Sequence, residues 1–161
     1  STIASLAPQY PNLVVLRTFS KWAGLASLRL GYGIMDPVVA ERLMTIKPPY
    51  NITVASELAL FASLEDRDLL LSRAKALVEA REVLFQRLAE FKDLTPWPSS
   101  ANFILCRGPQ GRGSWLYVEL AKRGVFVRYY STSPIEDFLR ISVGLQEQNE
   151  ALVTALSEIL S

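Results

Sequence analysis

Two apolar runs of strand length, Leu13 to Leu16 and Leu30 to Met35, bracket a stretch that a hydrophobic core would not keep: Arg17-Thr18-Phe19-Ser20-Lys21-Trp22-Ala23-Gly24-Leu25-Ala26-Ser27-Leu28-Arg29. Short apolar runs bounded by turn residues read as strands. These two therefore bring hydroxyls, a lysine and an arginine to the ends of strands. A lysine held there beside small residues, and partly withdrawn from water, favours a neutral amine, which attacks carbonyl carbon to give a Schiff base. The hydroxyls of Thr18 and Ser20, backbone N–H groups released by the glycine-containing turn and the guanidinium of Arg29 are donors that a phosphate dianion needs close together. A solvated turn uses the same residues, and the residues alone leave both readings open.

A ligand with an aldehyde and a phosphate satisfies this stretch, and pyridoxal phosphate is that ligand. The ordered run Thr18-x-Ser20-Lys21, followed by Gly24-Leu25-Ala26-x-Leu28-Arg29-Leu30-Gly31-Tyr32, resembles the lysine motif of fold-type I pyridoxal-phosphate aminotransferases of class I/II. Within them it is most similar to the histidinol-phosphate aminotransferase branch. The resemblance implies that Lys21 forms the Schiff base with the cofactor, and that Thr18, Ser20 and Arg29 hold the cofactor phosphate. Trp22 departs from the small residue more usual after the lysine. Pro48-Pro49-Tyr50-Asn51 resembles the same branch.

Composition removes several other classes. With 161 residues, half of them hydrophobic and 20% charged, the chain can bury an ordinary core. Seventeen Lys+Arg against sixteen Asp+Glu leave a net charge of +1, too little to recruit nucleic acid or an anionic membrane through a global field. There is no histidine, so acid-base work falls to lysine, tyrosine or carboxylate, and no imidazole is available for a metal. The single cysteine, Cys106, lies in an apolar run and reads as a small buried hydrophobe. No run is apolar and long enough to span a bilayer, and no basic-then-apolar leader opens the sequence. A cytoplasmic or organelle-matrix protein is expected.

Along the chain, residues 1–12 read as a loop or frayed helix. Asp36-Pro37 offers an N-cap and a first-turn proline for a helix to about Lys47, which Pro48-Pro49 stops. Helical spacing resumes from Tyr50-Asn51 to about Leu64. From Asp66, the residues Leu70, Ala74, Leu77, Arg81, Leu84, Leu88 and Phe91 form the stripe of a long amphipathic helix. Residues 95–100 break the pattern, and Phe103 to Cys106 is a buried-type strand. Gly108 to Gly113 is the most flexible-looking stretch, and Ser114 is a plausible N-cap for a helix to Lys122. Strands Val125–Tyr130 and Phe138–Val143 follow, with a closing helix over Gln146–Leu160.

Alternation places Arg128 with Phe126 and Tyr130, and Arg140 with Phe138 and Ser142, on the less apolar strand faces. An arginine there suits an ion pair, for example with Glu119 or Glu136, or a head group reaching water. The segments Asn102-Phe103-Ile104-Leu105, Gly124-Val125-Phe126-Val127-Arg128 and Leu139-Arg140-Ile141-Ser142-Val143-Gly144 are similar to three successive small-domain motifs of the same family. That resemblance implies substrate-binding roles for Asn102, Arg128 and Arg140. The two arginines would grip an anionic tail, which is phosphate in the histidinol-phosphate branch. Leu145 stands where that branch more often has threonine.

The fold expected is therefore α/β, fold type I. Residues 1–70 would be the C-terminal part of a large cofactor-binding domain and 71–161 a small domain. The resemblance implies transamination between histidinol phosphate and 2-oxoglutarate, with small-molecule amino donor and keto acid, no nucleic acid or membrane partner, no metal, and homodimers in the full-length family. It covers only the second half of the family, and the residues that pair with the pyridinium nitrogen and stack on the ring lie ahead of it. Other readings stay open: a different class I/II aminotransferase, a phosphothreonine decarboxylase, or a non-catalytic remnant or partner-binding domain. With only the second half of the family covered, the apolar strands Leu13 to Leu16 and Leu30 to Met35 would present open edges, which the remnant reading expects a partner to bury.

Overall fold

The bracketed stretch is the end of a hairpin. A computed structural model of the chain describes residues 2–160, and it divides into two units, Ser1–Ser72 and Arg73–Ser161. In the first unit, β1 (Val15–Thr18) and β2 (Gly31–Ile34) form a two-stranded antiparallel sheet, with Val15 opposite Ile34 and Thr18 opposite Gly31. Short 3-10 helices occupy Ala4–Gln9 and Ala26–Leu28.

α1 (Pro37–Ile46) begins where Asp36-Pro37 predicts, and Asp36 Oδ1 accepts the Val38 N–H at 2.9 Å. α2 (Val54–Glu65) starts later than Tyr50-Asn51 suggests. Tyr50 takes a left-handed φ of 59° after the two prolines, and Thr53 Oγ1 caps the helix by accepting the Ser56 N–H at 3.1 Å. The unit's buried cluster is small: Phe19, Ala23 and Leu30, with Trp22, Leu25, Leu28, Leu60 and Leu70 packed on it. Leu30 is thus buried rather than an open edge, whereas Leu16 is 76% exposed. No residue of α1 is buried, and only Ser56 of α2.

α3 (Arg67–Ala89) leads from residues of the first unit into those of the second. There β3 (Thr95–Pro96), β4 (Phe103–Arg107), β5 (Arg128–Tyr129) and β6 (Phe138–Ser142) form an antiparallel sheet ordered β3-β4-β6-β5. α4 (Gly113–Lys122) and α5 (Gln146–Leu160) complete the unit. Ile104, Cys106, Leu139 and Ile141 share one sheet face and pack with Leu84 and Leu88 of α3, Leu116 and Leu120 of α4, and Leu152, Val153 and Leu156 of α5. The helices thus cover one face, and alternation sends Leu105, Arg107, Arg128 and Arg140 to the other.

Three expectations need correction here. The break at residues 95–100 contains an edge strand, since Thr95 and Pro96 pair with Arg107 and Cys106, and an edge tolerates proline. β5 is shorter than Val125–Tyr130, because the N–H groups of Gly124 and Val125 are spent on the Ala121 and Leu120 carbonyls that end α4. Ser114 does not cap α4. Arg112 holds the cap position without a side-chain bond, and the donors at that end go to a carboxylate distant in sequence: Asp137 Oδ2 accepts from Gly111 N at 2.9 Å and Oδ1 from Gly113 N at 3.2 Å. The Asp137 carbonyl accepts from Gly108 N at 2.8 Å. The glycine-rich stretch is therefore pinned to the start of β6. Gly111 N–H in particular holds the Asp137 carboxyl below the ordinary aspartate range, with Gly113 N–H and the charge of Arg107 adding to it. Cys106 is buried, which pushes its thiol up to about 12 and leaves it inert at neutral pH.

Candidate active site

In the first unit, the turn that follows β1 decides what is buried. Phe19 and Ala23 enter the buried cluster, Phe19 tilted against Trp22 and Tyr32 at centroid distances of 5.7 and 5.5 Å. Lys21, between them, is exposed. This corrects the expectation of partial withdrawal from water: among the described residues, Lys21 takes no part in the cluster of Phe19, Ala23 and Leu30. The turn closes through Gly24 N to Lys21 O at 3.2 Å and Leu25 N to Phe19 O at 3.3 Å. Among the described residues the Lys21 amine has no hydrogen-bond or ion-pair partner.

Three residues before Lys21, Thr18 Oγ1 donates to Ser20 Oγ at 2.7 Å, lies 3.3 Å from the Leu30 carbonyl, and accepts the Ser20 N–H at 3.0 Å. With the Thr18 proton so engaged, the Ser20 hydroxyl proton is the one left to donate outward. Arg29 sits at the far end of the loop in the left-handed region, φ 55° and ψ 41°, with Nη1 donating to the Ala26 carbonyl at 2.7 Å. A non-glycine residue there is uncommon and marks a site where the surroundings over-determine the backbone. One of those surroundings is Ser56, which sequence reasoning did not single out. Its buried hydroxyl donates to the Leu28 carbonyl at 3.2 Å, fixing the peptide that leads into Arg29. The cap pair Thr53-x-x-Ser56 was the available signal.

In the second unit, Arg128 and Arg140 are directly opposite each other on β5 and β6, both exposed on the face away from the helices. The Arg140 guanidinium carbon lies 5.3 Å from the Phe103 ring centroid, and that of Arg128 lies 5.9 Å from the Tyr130 ring. Neither has a carboxylate partner among the described residues. Glu119, an expected partner, instead binds Lys122 at 2.6 Å and Arg123 at 3.1 Å, which together hold its carboxyl below the usual range. Two cations facing each other across a ladder repel, and no carboxylate among the described residues offsets the doublet. Asn102 is exposed at the entrance to β4, and its carbonyl accepts the Val143 N–H at 3.0 Å. The adjacent Ala101 carbonyl accepts from Arg81 Nη1 at 3.0 Å. Arg81, the one charge in the α3 stripe, is 8% exposed, and its Nη2 also donates to Glu82 at 2.7 Å. Thr18, Ser20 and Lys21 thus share one turn of the first unit, with Arg29 ending the same loop, while Arg128, Arg140 and Asn102 belong to the second unit.

Among the described residues no helix is long and apolar enough to cross a membrane, and no cluster of acidic and cysteine side chains could hold a metal ion. The family profile of aminotransferase class I and II matches residues 1–156. A histidinol-phosphate aminotransferase of Roseiflexus castenholzii is 47% identical over 162 residues, covering 99% of this chain and 44% of that protein. The crystal structure of the histidinol-phosphate aminotransferase from Clostridium acetobutylicum superposes with a TM-score of 0.87 at 23% identity, over 99% of this chain and 49% of the other. That of the Sinorhizobium meliloti enzyme, in complex with pyridoxal-5'-phosphate, gives 0.76 at 28% identity, over 93% and 41%. The chain spans less than half the length of each of these relatives. A profile matched over nearly the whole chain, on a mixed α/β fold shared with solved members, settles the assignment: the chain belongs to the aminotransferase class I and II family and has the α/β architecture of fold type I.

Proposed function

We propose that this chain takes part in pyridoxal-phosphate-dependent transamination, with histidinol phosphate as amino donor and 2-oxoglutarate as keto acid. The observation that carries the reading is the doublet of unpartnered arginines, Arg128 and Arg140, in a chain whose other unit presents an unpartnered lysine beside a hydroxyl pair. The donor set suits the cofactor. The Ser20 proton and the Arg29 guanidinium fit a phosphate, Thr18 orients Ser20, and the Lys21 amine fits an aldehyde. When bound, pyridoxal phosphate supplies an electron sink that stabilises charge developing on the substrate's amino-bearing carbon.

Lys21 would hold the cofactor and, once its amine is free, take the proton from that carbon. Arg128 and Arg140 bind the substrate's anionic tail, and their planar forks fix its orientation. Asn102 adds a polar contact at the mouth of β4. On this reading residues 1–70 complete a large domain, 71–161 form the small one, and the working assembly is a cytoplasmic or organelle-matrix homodimer.

The deciding experiment adds pyridoxal phosphate to the purified chain, records the absorbance spectrum, reduces with borohydride and maps the adduct by mass. A Schiff-base band that disappears in Lys21→Ala, with the adduct on Lys21, supports the reading. An adduct spread over other lysines and unchanged in Lys21→Ala overturns Lys21's role. A keto-acid exchange assay on an assembled enzyme then separates transamination from phosphothreonine decarboxylation. The exposure of Leu16 and Ile46, each 76%, favours one competing reading, a partner-binding domain without catalysis. That reading predicts association through this surface and no retained cofactor.

A further inference from the structure

The register of the second sheet lines up four side chains on its helix-free face. Trp97 N donates to the Leu105 carbonyl at 2.8 Å, Leu105 is opposite Arg140, and Arg140 is opposite Arg128. Neighbouring strands are about 4.8 Å apart, so the row Trp97-Leu105-Arg140-Arg128 runs from apolar to cationic without a break. The Trp97 ring is 54% exposed and tilts against Phe138 at a centroid distance of 6.3 Å, while Leu105 and Phe138 are half-buried. An indole on a strand face with no helix over it gains little from its own unit. Here it leans over β4 to make, with Phe138 and Leu105, an apolar wall whose Leu105 edge is one strand from Arg140 and two from Arg128, cations that lack a carboxylate partner among the described residues.

We propose that Trp97, with Leu105 and Phe138, is a specificity-determining shelf for the flat apolar body of a ligand whose anionic head sits on Arg128 and Arg140. This rests on the anion role given to the two arginines above and adds to it a preference. Among phosphate monoesters, those carrying a planar ring bind better than those carrying a small alkyl group, because the ring covers the exposed indole while the phosphate neutralises the facing guanidiniums.

The test titrates the isotope-labelled chain with phenyl phosphate and with methyl phosphate, following the Trp97 indole N–H and the Arg128 and Arg140 side-chain N–H signals by NMR. The expected result is tighter binding of phenyl phosphate by about fivefold, with the Trp97 signal moving only for that ligand. In Trp97→Ala the affinity for phenyl phosphate falls to that for methyl phosphate, and Trp97→Phe restores part of the difference. Equal affinities in the wild-type chain, a preference that survives Trp97→Ala, or a parallel loss of both ligands in that variant would each overturn the shelf. If methyl phosphate binds and Arg140→Gln abolishes it, yet no ring preference exists, the shelf alone fails. If neither phosphate moves the arginine signals, the anion site fails and the shelf with it.

Discussion

Replacing Gly113 by alanine tests how the strand that carries Arg140 is held. A Cβ at position 113 would stand 2.5 Å from the Asp137 Cα, 2.7 Å from the Glu136 carbonyl oxygen and 2.9 Å from the Asp137 carbonyl carbon. Ordinary carbon contacts lie at about 3.5–4.0 Å, so the 136–137 backbone must retreat by roughly 1 Å. No flexible side chain is available to absorb the clash. Overpacking of this kind costs about 1–3 kcal/mol, and the retreat loosens the carboxylate bonds to Gly111 and Gly113, each of the charge-assisted class. Alanine's better helix propensity returns up to about 1 kcal/mol at the head of α4. The net expectation is a loss of about 2 kcal/mol. Gly111→Ala serves as control: it has open space but a φ of 70°, so it costs about 1–2 kcal/mol through backbone conformation alone. Asp137→Ala removes the other half of the joint, and the double variant Gly113→Ala/Asp137→Ala should be less destabilised than the sum of its parts. Urea-dependent hydrogen exchange at core amides of α4 and β6 measures each. If Gly113→Ala matches wild type within 0.5 kcal/mol, or if the double variant is strictly additive, the close approach is not what this glycine provides.

Three further outcomes follow from the geometry. Because the folded Asp137 carboxyl lies below its ordinary value, its contribution is present above about pH 4 and is lost as pH falls through the folded value; Asp137→Asn should flatten the acid limb of a stability-versus-pH curve. Cys106, with its thiol pushed up to about 12 by burial, should resist iodoacetamide at pH 8 in the native chain and react only as fast as the second unit opens. Arg128→Gln relieves the repulsion facing Arg140, and should raise stability by a few tenths of a kcal/mol at low salt while weakening methyl phosphate binding about tenfold or more, the stability gain shrinking as salt is added.

What the sequence showed plainly was whatever depends on near neighbours. Asp36-Pro37 starts α1 as expected, and the closing helix occupies Gln146–Leu160. The alternation that puts Leu139, Ile141 and Val143 inside and leaves Arg128 and Arg140 outside is also seen. What it concealed depends on residues far apart. Ser114 is a good local cap, yet α4 begins at a carboxylate 24 residues away from Gly113. Thr95-Pro96 has no strand signal of its own and becomes one because β4 offers an edge. Lys21 lies in a motif legible from residue order, but residue order does not show that Phe19 and Ala23 enter the buried cluster while Lys21 between them stays exposed.

The two groups of site residues rest on foundations of different strength. The arginine doublet stands on a sheet backed by a cluster containing eight side chains under 2% exposed or close to it, among them Leu84, Leu88, Ile104, Leu116 and Leu120. The lysine hairpin is backed by a cluster of three buried residues, Phe19, Ala23 and Leu30, in a unit where α1 buries none. At about 25 cal/mol per Å² of buried apolar surface, the first unit gains far less from its own packing than the second. A ligand that binds only the ordered hairpin therefore stabilises a larger share of that unit's fold, by RT ln(1 + [L]/Kd). If the proposed roles hold, cofactor binding through Lys21, Ser20 and Arg29 would be coupled to the stability of the first unit, whereas anion binding at Arg128 and Arg140 would meet a surface already well packed. Added pyridoxal phosphate should slow hydrogen exchange throughout β1 and β2, and added phosphate should leave exchange in the β4–β6 core unchanged.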